Sequence, residues 1–246
     1  MSRNWRRHVP LPIKIIYRRA RLMLRVVAVF DAASLAHWRT SVSLGWLLYR
    51  IGEDTLISPA WLRQLHGFVG TLHAEGISGA LVECGVFHGG SAAVLAHAMH
   101  GQQRKLWLFD SFQGLPKPIA ADGPDAPALE GKIVGDVANV WRLQRLAGAG
   151  KESTHVVTGW FSDTFSQQHV GSIALLHIDA DWYESVLLCL EYFYDDLADG
   201  AFVVLDDYNE WFGCNRAVED FARARGLDLK VLGGGEAMPY YFRKNR

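Results

Sequence analysis

Apolar runs alternate with helix-like patterns along the chain from about residue 79 onward. Five runs rich in Val, Leu, Ile and Phe predict strands, each ending where a glycine or an acid begins, at residues 80–85, 105–110, 154–159, 173–179 and 201–207. Helical patterns occupy residues 91–100, 185–200 and 215–226. This alternation is typical of parallel strands joined by crossover helices, so the sequence predicts an α/β fold.

The ends of the chain and one internal segment depart from that alternation. Residues 227–232 and 238–244 predict two closing strands, an antiparallel pair around the turn at Gly233–Gly235. Residues 111–135 hold four of the eight prolines and several glycines, which predicts an irregular lid loop. We expect residues 1–60 to form a helical basic arm or lid and residues 61–246 to form the main domain.

Composition narrows the class of protein. The 246 residues are 50% hydrophobic, which is ample for a packed core. The three cysteines, Cys84, Cys189 and Cys214, are odd in number and widely spaced, so neither a disulfide framework nor a zinc site is predicted. Such cysteine usage favours a reducing compartment, and we expect a cytoplasmic protein.

Charge is distributed unevenly. Residues 1–60 hold ten Lys and Arg against three Asp and Glu, whereas residues 61–246 hold fifteen against twenty-three. An acidic body argues against a nucleic-acid groove, which requires a positive surface. We therefore expect no nucleic-acid partner.

The basic N-terminus has two interpretations. Its apolar runs are shorter than the roughly 20 residues that a membrane-spanning helix requires. Basic residues between Arg3 and Arg25 interleave with apolar ones, as in an amphipathic helix lying on the inner face of an anionic membrane. The alternative, which we favour, is a solvated helical arm or a dimerisation element, and we expect a homo-oligomer.

A glycine-rich turn, "ECGVFHGGS" at residues 83–91, lies between the first predicted strand and its helix. Glycines there allow a ligand to approach the backbone and the free N–H groups of the helix N-terminus. The spacing is not that of a dinucleotide site, and Asp110 at the end of the second strand is placed to bind ribose hydroxyls. Together they predict a site for S-adenosylmethionine, although the turn alone is equally explained by local geometry.

Four acids follow the last two parallel strands: Asp179, Asp181, Asp206 and Asp207. Ligands bind outside the carboxyl ends of such strands, and crowded carboxylates repel one another unless a cation neutralises them. Because all four ligands are oxygens, Mg²⁺ or a similar hard cation is predicted. Nearby, His177 is interpreted as a core histidine. For Trp160, Phe161 and Trp182 two interpretations stay open: they stack on adenine or shape a pocket, or they pack in the core.

The blocks "LVECGVFHGGS", "LWLFDSFQGLP", "VVTGWFSDTF", "IALLHIDADWYES" and "GAFVVLDDYNEWFGCNRAVEDF" resemble those of the macrocin O-methyltransferase family. These are metal-dependent enzymes that methylate sugar hydroxyls with S-adenosylmethionine. The resemblance implies a Rossmann-like class I methyltransferase fold. Its features are a mostly parallel seven-stranded sheet, an antiparallel C-terminal strand and a helical N-terminal extension.

The resemblance also implies a role for each residue of the site. The implied cofactor-binding residues are Glu83, Gly85, Ser91, Asp110, Ser111, Gly159 and Trp160. The implied magnesium ligands are Asp179, Asp206 and Asp207, and Asp181 is the implied general base. Two residues depart from the family pattern, because Ala180 stands where Gly is usual and Trp182 where an aliphatic residue is usual.

The expected acceptor is a sugar hydroxyl on a small-molecule natural product or a glycan, and a lipid-linked or polymeric sugar is an alternative. Two rival functions are weighed. A D-x-D motif after a strand also marks metal-dependent glycosyltransferases, but that function leaves the glycine turn and Asp110 unexplained. A catalytically silent binding subunit has no need for four crowded carboxylates.

Overall fold

The computed structural model describes residues 38–235 and 238–245, with the side chains of positions 38–42 and all of 1–37 outside that description. The chain divides into two compact units at the boundary between Glu53 and Asp54. In the first unit, helix α1 spans Trp38–Arg50. Most of the predicted basic arm lies outside the described residues, so its membrane contact and its pairing with a second copy stay predictions.

The second unit alternates strands with helices, as predicted. Its helices are α2 (Pro59–Ala74), α3 (Gly90–Ala98), α4 (Val137–Leu146), α5 (Phe161–Thr164), α6 (Tyr183–Phe193) and α7 (Phe212–Arg225). Its strands are β1 (Ala80–Cys84), β2 (Leu106–Asp110), β3 (Thr154–Thr158), β4 (Ile173–Ile178), β5 (Leu197–Leu205), β6 (Leu232–Gly233) and β7 (Tyr240–Arg243). Over the described ranges, no helix is both long and apolar enough to cross a membrane.

The seven strands form one sheet in the order β3-β2-β1-β4-β5-β7-β6. Strands β1 to β5 are parallel, and β7 is antiparallel to both β5 and β6. The predicted Rossmann-like sheet, mostly parallel with an antiparallel C-terminal end, is therefore confirmed. All five residues of β1 and all six of β4 are buried, which explains why both strands are apolar apart from Glu83 and His177.

Strand register brings the predicted acids to one edge of the sheet. Ile178 at the end of β4 pairs with Cys84 of β1 on one side and with Leu205 of β5 on the other. The next residues in the chain, Asp179 and Asp206, consequently leave the sheet side by side. The acids do meet at the carboxyl ends of the strands, as expected.

The boundary between α6 and β5 differs from the prediction. The helix predicted over residues 185–200 ends at Phe193, and β5 begins at Leu197, four residues before the predicted strand 201–207. Leu197 pairs with Ile173, and the N–H of Gly200 donates to the Lys244 carbonyl at 3.0 Å. Pairing with distant strands outweighs the helical periodicity of this segment.

The first closing strand also differs from the prediction. Of the residues near the predicted strand 227–232, only Leu232 and Gly233 pair in the sheet. The apolar side chains of the segment, such as Leu229 and Val231, pack against the hydrophobic core instead. Their alternation reflects packing on the core rather than a strand.

The predicted lid loop is ordered by short helices and by bonds at its base. Two 3₁₀ helices, Ala120–Asp122 and Ala126–Leu129, interrupt residues 111–135. The N–H of Leu115 donates to the Lys132 carbonyl at 2.8 Å, and the N–H of Gly131 donates to the Leu115 carbonyl at 2.9 Å. These two hydrogen bonds hold the two arms of the loop together at its base.

Candidate functional site

A pocket of about 560 Å³ lies where strands β1, β2, β4 and β5 end. Its walls come from the glycine turn after β1, the 111–135 loop, the segment before α5 and the acids that follow β4 and β5. The volume falls within the roughly 300–1,000 Å³ usual for small-molecule sites. Its position at the carboxyl ends of parallel strands is the one expected of an α/β ligand site.

Asp110 organises the glycine turn through its carboxylate. Its Oδ2 accepts the N–H groups of Val86 at 2.7 Å and Phe87 at 2.9 Å, and its Oδ1 accepts the N–H of Phe112 at 2.7 Å. A carboxylate has about four acceptor positions, so three are occupied by backbone donors. Asp110 lines the pocket, and the remaining position is what it can offer a ligand hydroxyl.

The glycines of the turn allow close approach of protein segments. Gly85 has a φ of +89°, and a Cβ there would overlap the carbonyl of Asp179. A Cβ at Gly90 would overlap Thr55 and the Asp54 carbonyl. Gly85 therefore allows the end of β1 to lie against the end of β4. Gly90 allows the start of α3 to lie against residues 54–55.

The predicted cofactor residues fall into two groups. Five line the pocket: Gly85, Ser91, Asp110, Ser111 and Trp160. Gly159 is not among the lining residues, and its N–H donates to the Asp110 carbonyl at 3.0 Å. Glu83 is fully buried within β1 and also lies outside the pocket lining.

Glu83 forms a buried pair with His177. Its Oε1 lies 2.9 Å from His177 Nδ1, across neighbouring strands β1 and β4. Among the described residues, Oε2 of Glu83 has no hydrogen-bond partner. The interpretation of His177 as a core histidine agrees with this contact, and the implied cofactor-binding role of Glu83 stays a prediction.

Three carboxylates converge at the rim of the pocket. Ligand oxygens of Asp179, Asp181 and Asp207 all lie within 4.8 Å of one another, close enough to share one ion. Asp206 also lines the pocket but is not a member of this triad. The structure thus groups Asp181, the predicted base, with two of the three predicted magnesium ligands.

Burial and mutual repulsion disfavour ionisation at this rim. Burial raises the pKa of Asp181 to about 7, with Asp206 adding to the rise, and raises the pKa of Asp206 to about 6. The pKa values of Asp179 and Asp207 are raised well above the ordinary value, first by burial and then by neighbouring carboxylates. Such a set gains most from a cation, and three carboxylates suit a hard one such as Mg²⁺.

Asp181 is held in a left-handed backbone conformation, with a φ of +54°. Its N–H donates to Asp207 Oδ2 at 2.9 Å, and the N–H of Trp182 donates to the Ala180 carbonyl at 2.6 Å. Positive φ at a residue other than Gly is uncommon and clusters at functional sites. Ala180 has no positive φ, so it replaces the usual Gly without backbone strain.

Trp182 packs in the interior at the base of the lid. Its side chain is 1% exposed, its indole N–H donates to the Pro116 carbonyl at 3.0 Å, and its ring meets Trp211 edge to face. Trp182 is therefore packed in the interior, and stacking of its ring on adenine stays a prediction. Trp182 also lines the pocket, together with Trp160 and Phe161.

The lining residues that escaped the sequence reasoning include Asp54, Asp122, Glu184 and Trp211. Asp54 precedes the first predicted strand and binds Arg142 at 3.1 Å, and Asp122 lies inside the irregular loop. Neither position carries a pattern that marks a site. Glu184 and Trp211 lie inside the quoted sequence blocks, which was the available signal for them.

Comparison with known proteins identifies the family. The family model of macrocin-O-methyltransferase (TylF) matches residues 49–244. A tetracenomycin-C derivative 4'-O-methyltransferase of Streptomyces olivaceus is 31% identical over 185 residues, which cover 70% of this chain and 69% of that protein. Mycinamicin III 3''-O-methyltransferase of Micromonospora griseorubida is 28% identical, covering 86% of this chain and 90% of that protein.

Solved structures agree with these matches. The O-methyltransferase NovP superposes with a TM-score of 0.69 at 25% identity, covering 78% of this chain and 83% of that chain. The calicheamicin methyltransferase CalS11 superposes with a TM-score of 0.65 at 20% identity, covering 96% of this chain and 94% of that one, a likeness of fold. With the family model spanning most of the chain, the resemblance of its sequence blocks is confirmed: the chain belongs to the macrocin-O-methyltransferase family and is an O-methyltransferase.

Proposed function

We propose that this protein transfers the methyl group of S-adenosylmethionine to a sugar hydroxyl of a glycosylated natural product or glycan. The observation that carries the proposal is the carboxylate triad at the rim of a pocket whose other wall is the glycine turn. The relatives support the acceptor class, because one is named for a dimethoxyrhamnosyl tetracenomycin and another for mycinamicin III. Family membership also favours methyl transfer over the glycosyltransferase alternative.

The cofactor is proposed to occupy the side of the pocket formed by the glycine turn and Asp110. S-adenosylmethionine supplies an electrophilic methyl group. Asp110 holds the turn through three backbone N–H groups and keeps one acceptor position for a ribose hydroxyl. Trp160 lines the same pocket, where its ring is available to the adenine.

Asp179, Asp206 and Asp207 are proposed to hold a divalent cation. When bound, such a cation lowers the pKa of an acceptor hydroxyl and orients it. The carboxylate oxygens of Asp179, Asp181 and Asp207 lie within 4.8 Å of one another, and the raised pKa values of Asp179 and Asp207 support cation binding. Because the geometric triad contains Asp181 in place of Asp206, experiments must separate the roles of these two residues.

Asp181 is proposed to be the general base. Its carboxyl is half-buried at the pocket rim, and burial brings its pKa to about 7, close to the value that serves a base at neutral pH. The carboxylate accepts the hydroxyl proton as the acceptor oxygen bonds to the methyl carbon, the S–CH₃ bond breaks and S-adenosylhomocysteine leaves. Most of the rate is expected from alignment of the two reactants beneath the 111–135 loop, which keeps water out.

The direct test is a transfer assay with a panel of acceptors. Purified protein is incubated with S-adenosylmethionine, Mg²⁺ and rhamnosylated polyketides, aminocoumarin glycosides, lipid-linked sugars or polysaccharide fragments. The expected result is release of S-adenosylhomocysteine together with a methyl ether on a sugar carbon, located by NMR. Tight binding of S-adenosylhomocysteine without transfer to any glycoside would favour the silent binding subunit instead.

A further inference from the structure

The carboxylate of Asp122 links the lid loop to helix α6. Asp122 ends the first 3₁₀ helix of the loop, and its side chain is only 2% exposed. Oδ2 accepts the N–H of Ile119, within the loop, at 2.7 Å. Oδ1 accepts the N–H of Tyr183, the first residue of α6, at 2.6 Å. One carboxylate therefore accepts a hydrogen bond from the lid loop and another from helix α6.

Helix α6 has no cap of its own. Its N-cap residue is Trp182, whose side chain makes no capping hydrogen bond. The first N–H groups of a helix have no partner within the helix, and an acid at that end is favourable because of the helix dipole. Asp122 supplies this cap from 61 residues away in the sequence.

A second bond joins the same two segments. The indole N–H of Trp182 donates to the Pro116 carbonyl of the loop at 3.0 Å. Gly213, near the start of α7, leaves room for the junction, because a Cβ there would overlap Asp122 Oδ1 and the Tyr183 nitrogen. The loop is thus fastened at two points, on consecutive residues Trp182 and Tyr183.

Both fastening points directly follow Asp181. The left-handed conformation of Asp181 is uncommon for an aspartate and persists only where surrounding bonds enforce it. On one side, its N–H donates to Asp207 Oδ2. On the other side, the restraints on the next two residues include the bonds from the lid.

We propose that Asp122 is a positioning residue for Asp181: docking of the lid caps α6 and thereby holds the proposed base in its left-handed conformation. The inference rests on the proposed function for the identity of the base. The linkage between lid and base segment is a property of the protein without acceptor, so it is measured independently of transfer. Closure over the reactants and completion of the carboxylate triad are then a single event.

Hydrogen exchange measured by mass spectrometry tests the linkage, with S-adenosylhomocysteine bound and no acceptor present. The variants are Asp122→Ala, which removes both acceptors, and Asp122→Asn, whose single amide oxygen still accepts from Tyr183. Asp125→Ala is the matched control, because this exposed acid of the same loop makes no side-chain cap bond. Trp182→Phe removes the indole donor together with part of the buried ring.

Asp122→Ala is expected to speed exchange in peptides covering residues 181–185 and 111–135 together, by about 5- to 30-fold, the range expected for loss of a cap. Asp122→Asn and Trp182→Phe should give smaller changes in the same peptides, and Asp125→Ala should give none. Faster exchange in the loop with residues 181–185 unchanged, or no change in either, contradicts the linkage. A uniform increase over the whole chain shows global destabilisation and also contradicts it.

Kinetics provides the second readout once an acceptor is known. Asp122→Ala is expected to lower kcat by about 10- to 100-fold, as for a misplaced reacting group, with the Kd for S-adenosylhomocysteine within about threefold. Asp122→Asn should recover part of kcat. Equal loss of kcat in both variants, or weaker cofactor binding with unchanged kcat, overturns the positioning role. Absence of transfer by the wild-type protein contradicts the proposed function and leaves the exchange result to stand by itself.

Discussion

The carboxylates on the two sides of the pocket differ in their hydrogen-bond partners. Asp110, beside the glycine turn, accepts three backbone N–H groups, so its charge is matched by the fold itself. At the opposite rim, Asp179, Asp181, Asp206 and Asp207 crowd together, and the pKa of each is raised by burial. Asp110 ends a strand and the rim acids follow strands, and what differs between them is the number of backbone N–H groups that each carboxylate accepts.

Asp207 lies between these extremes. Its Oδ2 accepts the N–H of Asp181, and backbone hydrogen bonds partly offset the rise in its pKa, yet burial and neighbouring charges prevail. The rim therefore combines one carboxylate that shapes the backbone with others that carry unmatched charge. A carboxylate without backbone donors is free to bind a cation or to accept the proton of an acceptor hydroxyl.

The largest expected effect comes from removing the proposed base at the charged rim. Asp181→Asn should lower transfer by about 10²- to 10⁴-fold, because the amide cannot accept the hydroxyl proton. Binding of S-adenosylhomocysteine, measured by calorimetry, should be retained, since the cofactor side of the pocket is untouched. Wild-type rates in this variant would assign the base elsewhere.

Removal of the cation is expected to be nearly as severe. EDTA should lower transfer by about 100-fold or more, and Mg²⁺ should restore it. EDTA already saturated with Mg²⁺ is the control. Asp179→Asn should raise the Mg²⁺ concentration needed for half-maximal rate by at least about tenfold, whereas Asp110→Asn should not. Full activity in EDTA would remove the cation from the mechanism.

A third prediction concerns stability on the opposite side of the pocket. Asp110→Asn leaves one acceptor oxygen for three N–H donors, so the free energy of unfolding should fall by about 1–3 kcal/mol. Asp206→Asn should not destabilise the cation-free protein at pH 8, because it removes repulsion at the rim. Thermal melts of the two variants provide the comparison. Equal destabilisation would contradict the claim that Asp110 stabilises the fold whereas Asp206 does not.

The smallest expected effect is a pH dependence of stability. The folded-state pKa values of Asp181 and Asp206, about 7 and about 6, lie above their ordinary 3.8, so the folded protein binds more protons than the unfolded chain in between. Without divalent cations, this contribution to stability is present at low pH and is lost as pH rises through these values.

Melts at several pH values with and without Mg²⁺ check this prediction. Mg²⁺ should raise Tm more at pH 8 than at pH 5.5, where protons compete for the same carboxylates. An Asp181→Asn, Asp206→Asn double variant should show a weaker pH dependence of the Mg²⁺ effect. An identical Mg²⁺ effect at both pH values would contradict the assignment of the raised pKa values.

Much of the fold was predictable because its signals are local. The buried strands β1 and β4 are apolar apart from Glu83 and His177, and Gly85 and Asp179 follow them, so the strands and the residues at their ends were predicted. The end of α6 was not, because residues 197–200 join the sheet through partners near Ile173 and Lys244. Their own periodicity carries no information about those partners.

The site was predictable in its members more than in their grouping. The positions of four acids after two strands predicted one acidic rim, and the family resemblance implied Asp179, Asp206 and Asp207 as ligands, but the oxygens that converge belong to Asp179, Asp181 and Asp207. Asp181 lies there in a left-handed backbone conformation, which its sequence pattern did not predict. Asp122 had no signal at all, since its role exists only where the loop meets α6.

By itself, the sequence determined the alternation of strands and helices, the acids and glycines at the strand ends and the family to which they belong. Tertiary structure decided which acids face backbone donors, which face one another, and that Trp182 and Asp122 fasten the lid. The physical reason is range: apolar periodicity acts over a few residues, whereas these hydrogen bonds join groups 61 and 66 residues apart in the sequence. Such partners become neighbours only when the chain has folded.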